Sequence, residues 1–407
     1  MRKFKILSAL LVTILSAYIL CGCFDEREID ETAYIIALGI DKGEGNDYIY
    51  TFQFSAPLAV AGGGGGESES SGQESSSEKA EIKDSGNPTV NNIVITAPDF
   101  YVAKNMTNNF LSKNINMSHL KLIVFSHNLD SDGLSGHSQF LLREREIRPH
   151  TAVAAAKQSA QEYILSVNPE LEANTAKYYE LMSLRSNNVY APTKKLSDFV
   201  DEISKAGGSS ALPLASIADK EDNRGKNASP DGFWIGSESA KLSSSRSDFR
   251  GMALFKSGIL CGTMNGDSAM LYNILNRDIQ SCIITLRSPY RDSDHFSFRL
   301  LVDAPASYHV NCAGNPCLIN VKQNLGLEFL GSRIPEGFSS IDELYAFADS
   351  VLETRITEFF FDISRVKKSD IMKIGDSFKQ RFLTQHDWEN MNWSQLYETA
   401  DFDVDIE

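Results

Sequence analysis

The sequence predicts an α+β fold with mixed or antiparallel sheets, packed helices and two to three domains. Strand-like and helix-like segments come in blocks, without the strand–helix–strand repeat that is typical of a doubly wound parallel sheet. The chain has 407 residues, of which 42% are hydrophobic and 23% are charged. At the usual domain size, such a chain forms two or three domains with sizeable cores.

The first 22 residues are predicted to be a lipoprotein-type signal peptide. Basic residues near the start lead into an apolar run from Ile6 to Leu20, which is the layout of an export signal. The run ends in Leu20-Cys21-Gly22-Cys23, an aliphatic residue and two small ones before a cysteine. We therefore expect lipid on Cys23, which would hold the mature protein on the outer face of a membrane. The alternatives are a plain cleaved signal or an N-terminal anchor helix, although the run is short for a span of about 20 residues.

Residues 23–205 are predicted to form an N-terminal α+β region. A buried-type run at Ala33–Ile40 and the alternating segment Tyr48–Ser55 predict a β-hairpin. Apolar runs and helical spacing of apolar residues predict the elements that follow. The further strands are Thr89–Thr96, His119–Ser126 and Thr151–Ala156, and the helices are Asp99–Ser112, Gln139–Ile147, Ala160–Val167, Ala173–Arg185 and Lys195–Lys205.

Residues 62–87, inside this region, are predicted to be a disordered insertion. Five consecutive glycines are followed by Ser, Glu, Gln and Lys, with almost no apolar side chain. Such a composition cannot bury enough surface to offset the entropy lost on ordering. The glycine run lacks the Gly-Lys-Ser/Thr sequence of a phosphate-binding loop, so no phosphate site is predicted there.

The rest of the chain is predicted to be an irregular connection, residues 206–250, and a C-terminal α+β domain, residues 251–407. The connection is rich in Gly, Ser, Asn and Asp, which are typical of loops. The C-terminal domain begins with a hairpin over Gly251–Thr263, and Ser340 with Glu343 forms a capping box for a long helix. The other predicted elements are a helix at Ser268–Asn276, strands at Ile279–Leu286, His295–Val302, Ala306–Cys312 and Leu318–Phe329, helices at Ser369–Phe382 and Asp387–Tyr397, and a final acidic strand.

Four of the six cysteines remain once Cys21 leaves with the signal and Cys23 carries lipid. Disulfides can form in exported proteins, on the outer side of the membrane. The turn-like sequence between Cys312 and Cys317 permits a bridge across a hairpin. Free buried thiols at Cys312, Cys317 and the other two cysteines are the alternative. The chain has no pair of CxxC motifs, so structural zinc is not predicted.

The net charge of −15 argues against nucleic acid as a partner and against electrostatic docking on anionic lipid. The lipid anchor is therefore expected to provide the contact with the membrane. The seven histidines include no HExxH motif and no close pair of ligands, so neither a metal nor another cofactor is predicted.

Short motifs that resemble a GDS-type serine esterase do not predict an enzyme. Gly266-Asp267-Ser268 and Gly375-Asp376-Ser377 match the serine block, and Asp292-Ser293-Asp294-His295 supplies an Asp-x-x-His. Such chemistry needs a serine that a histidine activates and a carboxylate that orients the histidine. In that esterase class, the serine block lies near the start of the domain and the Asp-x-x-His lies near its end. Here the first serine block and the histidine are separated by too little chain to form the fold between them, and the second serine block follows the histidine. Catalysis is therefore only a minor alternative.

Several segments together resemble the spore germination lipoprotein family of Ger(x)C type. They are the mature start Cys23-Phe-Asp-Glu-Arg-Glu-Ile-Asp-Glu with Leu38-Gly-Ile-Asp41, then His119–Phe125, Arg143–Arg148, Gly251–Lys256 with Leu260-Cys-Gly262, and Asp370–Gly375 with Trp388 and Trp393. The resemblance covers nearly the whole mature chain in the order of the family. The long insertion at 62–87 and Ser257-Gly258 in the hairpin turn depart from the family pattern.

The resemblance implies a non-enzymatic C subunit of a nutrient germinant receptor, on the outer face of the spore inner membrane. The expected partners are A-type and B-type membrane subunits, and the family supplies no catalytic or ligand residues to transfer beyond the lipidated Cys23. A solute-binding lipoprotein of a transporter is the alternative from another class. It would require two lobes of repeating βαβ units around a cleft, which the sequence does not show.

Overall fold

The computed structural model describes residues 31–55, 80–83, 90–129, 131–169, 174–184, 188–205, 207–218, 246–291, 293–312 and 316–407, with a few isolated positions besides. The predicted signal peptide, Cys23 and most of the predicted insertion lie outside the described residues. The predicted α+β class is confirmed, because helices pack on several mixed and antiparallel sheets. Within the described ranges, no helix combines the length and the apolar character that a membrane span requires.

A ten-stranded mixed sheet forms the first part of the molecule. Its strands are β1 (Thr32–Lys42), β2 (Tyr48–Ser55), β3 (Ala80–Lys83), β4 (Val90–Ala97), β5 (Asn114–Asn116), β6 (Leu122–Ser126), β7 (Ala152–Ala156), β8 (Ser209–Ala218), β9 (Arg246–Lys256) and β10 (Ile259–Met264). The order is β10-β9-β8-β7-β6-β1-β2-β4-β3, and β5 pairs with the start of β1. The predicted β1–β2 hairpin is confirmed, with Leu38 opposite Phe52.

Helices cover both faces of this sheet, because its central strands are apolar on both sides. The helices are α1 (Phe100–Phe110), α2 (Ser131–Arg143), α3 (Ala160–Ser166), α4 (Thr175–Leu184) and α5 (Leu196–Ser204). Successive side chains of a strand point to opposite faces. Ile123 and Phe125 of β6 therefore join the core under α1, α2 and α5, whereas Leu122 and Val124 join the core under α3 and α4.

The C-terminal part contains two small sheets and a long helix around a third core. Its elements are α6 (Gly266–Asn276), β11 (Ser281–Arg287), β12 (His295–Val302), β13 (Ser307–Asn311), β14 (Leu318–Gln323), β15 (Leu325–Phe329), α7 (Ile341–Phe361) with a π-helical continuation Asp362–Val366, α8 (Ile374–Lys379), α9 (Gln385–Met391), α10 (Trp393–Thr399) and β16 (Asp401–Ile406). The sheets have the orders β11-β12-β15 and β13-β14-β16. Ser340 accepts a hydrogen bond from the Glu343 amide (3.2 Å) and begins α7 as predicted.

Part of the predicted insertion and both ends of the predicted connection are strands. Within 62–87, Ala80–Lys83 forms β3 and pairs with β4, Ile82 lying opposite Ile93, and the other residues of that range lie outside the described residues. Within 206–250, β8 and the start of β9 pair with each other. The Ser and Pro residues of these strands weaken their sequence signal, and pairing with neighbouring strands supplies what local propensity lacks.

The predicted hairpin over Gly251–Thr263 forms, but it extends the large sheet through β8 and does not begin a separate one. The centre of that sheet also differs from the expectation of no βαβ units, because β1, β6, β7 and β8 run parallel. Helix-bearing connections join β6 to β7 and β7 to β8, as parallel pairing requires. The division of the chain into domains stays a prediction.

Several boundaries of the C-terminal elements differ from the prediction. The run predicted as one strand at Leu318–Phe329 splits after Gln323, whose buried amide donates to the Ala304 carbonyl oxygen (2.8 Å). The helix predicted at Asp387–Tyr397 breaks into α9 and α10 at Asn392, which has φ 47°. The helix predicted at Ser369–Phe382 shortens to α8.

A disulfide joins Cys312, just after β13, to Cys317, just before β14. The two strands are antiparallel, with Asn311 opposite Leu318, so the bridge closes the turn between them. The other two cysteines of the described chain, Cys261 and Cys282, are free thiols.

Candidate functional site

A polar cleft lies between α5 and the segment that leads into α8. It is a cleft of about 970 Å³, and a groove of about 680 Å³ adjoins it. Glu202 and Lys373 line both cavities. Charged side chains face the cleft from four segments: α5, the loop before α5, the loop after α6 and the loop before α8.

Glu202 is the centre of this cleft. Its side chain is 5% exposed and that of Lys194 is 8% exposed. The Lys194 ammonium donates to both Glu202 oxygens, at 2.9 Å and 2.8 Å. The Lys373 Nζ lies 2.6 Å from Oε1, and the Ser210 hydroxyl donates to Oε2 at 2.5 Å. Both carboxylate oxygens are therefore bound by donors from three separate segments of the chain.

The network keeps its members charged although it is buried. Burial raises the pKa of Glu202, but attraction from Lys194 and hydrogen bonds from Lys194, Lys373 and Ser210 outweigh it, so the pKa lies below its ordinary value. Burial lowers the pKa of Lys194, but negative charge on its neighbours, Glu202 among them, outweighs that effect and raises it. A carboxylate whose oxygens already accept from two ammonium groups is a weak base. The geometry therefore favours a structural contact between chain segments over a site of proton transfer.

A second polar contact between chain segments lies beside the groove. Asp370 is partly buried, and its carboxylate accepts hydrogen bonds from the amides of Ile374 (3.1 Å) and Gly375 (2.8 Å) and from the Trp393 indole (3.0 Å). Burial raises the pKa of Asp370, and these hydrogen bonds oppose the rise. Gly375 has no room for a side chain, because a Cβ there would lie 2.3 Å from the indole nitrogen.

The Leu38-Gly-Ile-Asp41 segment has a similar structural role in the large sheet. The Asp41 carboxylate accepts from the amides of Ala160 (2.7 Å) and Gln161 (2.8 Å), which begin α3. A Cβ on Gly39 would lie 2.9 Å from the Ile164 side chain. Gly39 and Asp41 thus let α3 lie directly on β1, which is helix capping by a side chain distant in sequence.

The structure does not assemble the esterase motifs into a site. Ser268 lies in the first turn of α6, Ser377 lies on α8, and His295 begins β12. Among the described residues, neither serine hydroxyl has a hydrogen bond to a histidine, and Asp292 lies outside those residues. Within the same ranges, no three His, Cys, Asp or Glu side chains are placed to hold a metal ion.

Comparison with known proteins identifies the family. Residues 25–217 match the model of the spore germination protein N-terminal domain. Residues 250–407 match the model described as spore germination B3/GerAC like, C-terminal. The chain belongs to the Ger(x)C family of spore germination proteins. The Ger(x)C N-terminal match contains Lys194 and Glu202 and the C-terminal match contains Lys373, so the charged cleft lies where the two matched segments meet.

Two individual proteins agree with the Ger(x)C assignment. A putative spore germination protein of Bacillus subtilis (strain 168), YfkR, is 24% identical over 236 residues, which are 57% of this chain. That match spans 55% of the relative, so a little over half of its length is covered. The crystal structure of the GerBC protein covers 91% of this chain with a TM-score of 0.50 and 14% identity, and 95% of that chain is matched. This likeness shows a shared fold.

Sequence reasoning missed the cleft. Lys194, Glu202 and Lys373 are far apart in sequence, and no short motif connects them. One local signal was present: α5 buries Leu196, Phe199, Val200 and Ile203, and Glu202 lies on that same buried side. A carboxylate on the apolar side of a helix requires a buried partner, although the sequence does not say which one.

Proposed function

We propose that this protein is the lipid-anchored, non-enzymatic C subunit of a spore nutrient germinant receptor. The observation that carries the proposal is the ordered match of both Ger(x)C domain models over 25–217 and 250–407. The subunit would act with A-type and B-type membrane subunits on the outer face of the spore inner membrane. The charged cleft supports a role in assembly, because its buried charges are bound to one another across the two matched segments.

Deletion of the gene tests the receptor role. We expect spores without the protein to lose germination through one nutrient receptor, and to respond normally to triggers that bypass receptors. The measurement is the fall in optical density of purified spores after each stimulus. Normal nutrient germination in a strain without a redundant receptor would contradict the proposal.

Serine variants test the non-enzymatic part of the proposal. Ser268→Ala and Ser377→Ala remove the only two hydroxyls in GDS sequences. We expect both variants to germinate like the wild type, and the purified protein to hydrolyse no ester substrate. A hydrolase activity that Ser268→Ala or Ser377→Ala abolishes would support the esterase alternative instead.

Lipid labelling tests the anchor. We expect Cys23→Ala to abolish incorporation of labelled palmitate and to release the protein from the membrane fraction, because a protein needs its acyl chains for stable anchoring. Cys21→Ala is the matched control, since it keeps a small residue at each of the two positions before Cys23 and should keep the label. Label that persists in Cys23→Ala, or membrane retention of that variant without partner subunits, would refute the anchor.

A further inference from the structure

A separate cavity of about 500 Å³ lies between α6 and the C-terminal end of α7. It shares no lining residue with the charged cleft. Its walls include the buried side chains of Leu271 and Phe359 and the ring of Phe361, which is 48% exposed. The Arg365 guanidinium lies over that ring, 5.4 Å from its centroid. Mostly apolar walls with a few polar groups are typical of small-molecule sites.

One polar group in this cavity is a largely buried arginine. The Arg355 side chain is 12% exposed, and its Nη1 donates to Glu358 at 2.9 Å. Its guanidinium also lies over the Trp234 indole, 5.7 Å from the ring centroid, so two neighbours fix its position. Within the described residues, the buried Nε has no hydrogen-bond acceptor. Because a guanidinium has five N–H donors, Arg355 keeps donors for an anionic group in the cavity.

The second polar group is the Asp362 carboxylate, at the point where α7 passes into its π-helical continuation. In the part of the chain that the structure describes, this carboxylate has neither a hydrogen bond nor an ion pair. Loss of solvent raises the pKa of Asp362, and the positive charges of Lys367 and Arg355 oppose the rise, which places Arg355 near it. A π-helical turn is rare and often lies at a functional site.

The charges of this cavity fit a ligand that carries both signs. Its charged lining residues are Arg355, Glu358 and Asp362, and Lys367 acts on Asp362 from nearby, so positive and negative groups balance. Glu358 is already bound to Arg355, which leaves Asp362 for a cation and the unused guanidinium donors for an anion. A ligand with a single charge would place it beside a group of the same sign, which is unfavourable. In the charged cleft, by contrast, both oxygens of the central carboxylate are occupied.

We propose that this cavity binds a small zwitterion with an apolar body, of which a free aliphatic amino acid is the simplest example. The ligand carboxylate accepts hydrogen bonds from Arg355, and its ammonium donates to Asp362. Its apolar side chain packs against Leu271 and covers the exposed ring of Phe361, which removes apolar surface from water. The proposal rests neither on the receptor role nor on the lipid anchor, because every residue that it uses belongs to α6, α7 or the π-helical continuation.

Hydrogen exchange of the purified full-length protein with three matched compounds tests this proposal. L-leucine carries both charges, 4-methylpentanoate lacks the ammonium, and 3-methylbutylamine lacks the carboxylate, while all three share the same apolar body. At a leucine concentration about ten times its dissociation constant, we expect amides in residues 268–272 and 355–366 to exchange roughly tenfold more slowly. Each analogue lacks one charged hydrogen-bonding group and binds about tenfold more weakly or worse. At the same concentration it should slow exchange by at most about twofold.

Two variants with the same change of charge on one helical segment sharpen the test. Asp362→Asn removes the charge that binds the ammonium, and it keeps the size of an exposed side chain. We expect it to weaken leucine binding by about tenfold or more. Asp342→Asn is the matched control, because Asp342 is an exposed acid in the first turn of α7, and it should leave leucine binding unchanged.

Three results would overturn the proposal. Unchanged exchange with leucine, in a protein whose core amides remain protected, would remove the binding site. Equal slowing by leucine and by either analogue would remove the zwitterion as the ligand. Equal leucine affinity in Asp362→Asn and the wild type would remove the assignment to this cavity. Each result leaves the receptor role untouched, since the deletion strain tests that role by germination and not by binding.

Discussion

Glu202→Ala is expected to lower the free energy of unfolding by about 3–5 kcal/mol, the cost of leaving a buried charge without its partner. The variant leaves the Lys194 ammonium 8% exposed and without the carboxylate that binds it. It also releases Ser210 and Lys373, and the Lys373 contact joins the C-terminal family match to the N-terminal one at the cleft. Urea unfolding of the purified protein, followed by intrinsic fluorescence, measures the change.

Asp201→Ala is the matched control, because Asp201 lies next to Glu202 on α5 and its side chain is 69% exposed. Its ion pair with Lys205 is at the surface, where such pairs contribute about 0–1 kcal/mol. The double variant Lys194→Met with Glu202→Leu should recover most of the loss, since apolar pairs often replace buried ion pairs without cost. Equal losses in Glu202→Ala and Asp201→Ala would show that the cleft network does not stabilise the fold.

The pH dependence of stability provides an independent measurement of the same network. The pKa of Glu202 is lowered in the folded protein, so its contribution is fully present above the ordinary carboxyl value of about 4.3. That contribution is lost as the pH falls through the lower folded-state value. The pKa of Lys194 is raised, so its contribution is complete below about 10.4 and is lost only in stronger base. Glu202→Ala should therefore flatten the acid side of the stability profile.

The sequence predicts the elements of the fold better than their arrangement. Local patterns identify β1, β2 and β6, because their apolar residues occur in runs or at period two. The parallel pairing of β1 with β6 depends on contacts between residues about 85 positions apart, and no local pattern records them. β8 was missed for the same reason. Its Ser and Pro residues do not indicate a strand locally, and the strand forms by pairing with β7 and β9.

Two of the segments that carry the family resemblance have a clear structural role, because each places a carboxylate at the start of a helix. Asp41 binds the first amides of α3, and Asp370 binds the amides that begin α8 and the Trp393 indole. Asp41 is buried and Asp370 is partly buried, and both satisfy backbone donors which would otherwise lack partners. The sequence shows these motifs, but it does not show that they hold helices in place.

Trp393→Ala is expected to lower the free energy of unfolding by about 3 kcal/mol, the lower end of the usual cost of truncating a large aromatic side chain, because the ring is partly buried against the C-terminal core. The ring packs against Phe378 and Tyr397, with centroids 5.6 Å and 5.8 Å away. The indole nitrogen donates to Asp370 (3.0 Å), so the variant also removes one of the three donors that bind this partly buried carboxylate. Trp393→Phe keeps most of the packing and loses only that donor, which should cost about 1.5–3 kcal/mol.

Trp388→Ala provides the comparison that separates packing from the hydrogen bond. Trp388 belongs to the same aromatic cluster, with its ring 6.1 Å from that of Trp393, but no hydrogen bond of its indole is described. We expect Trp388→Ala to cost less than Trp393→Ala, and hydrogen exchange to quicken in α10 and β16 only in the Trp393 variants. β16 pairs with β14 directly after α10, so loss of the Asp370 contact should loosen that edge strand. Equal costs for the two tryptophans would mean that ring packing alone holds the C-terminal segment in place.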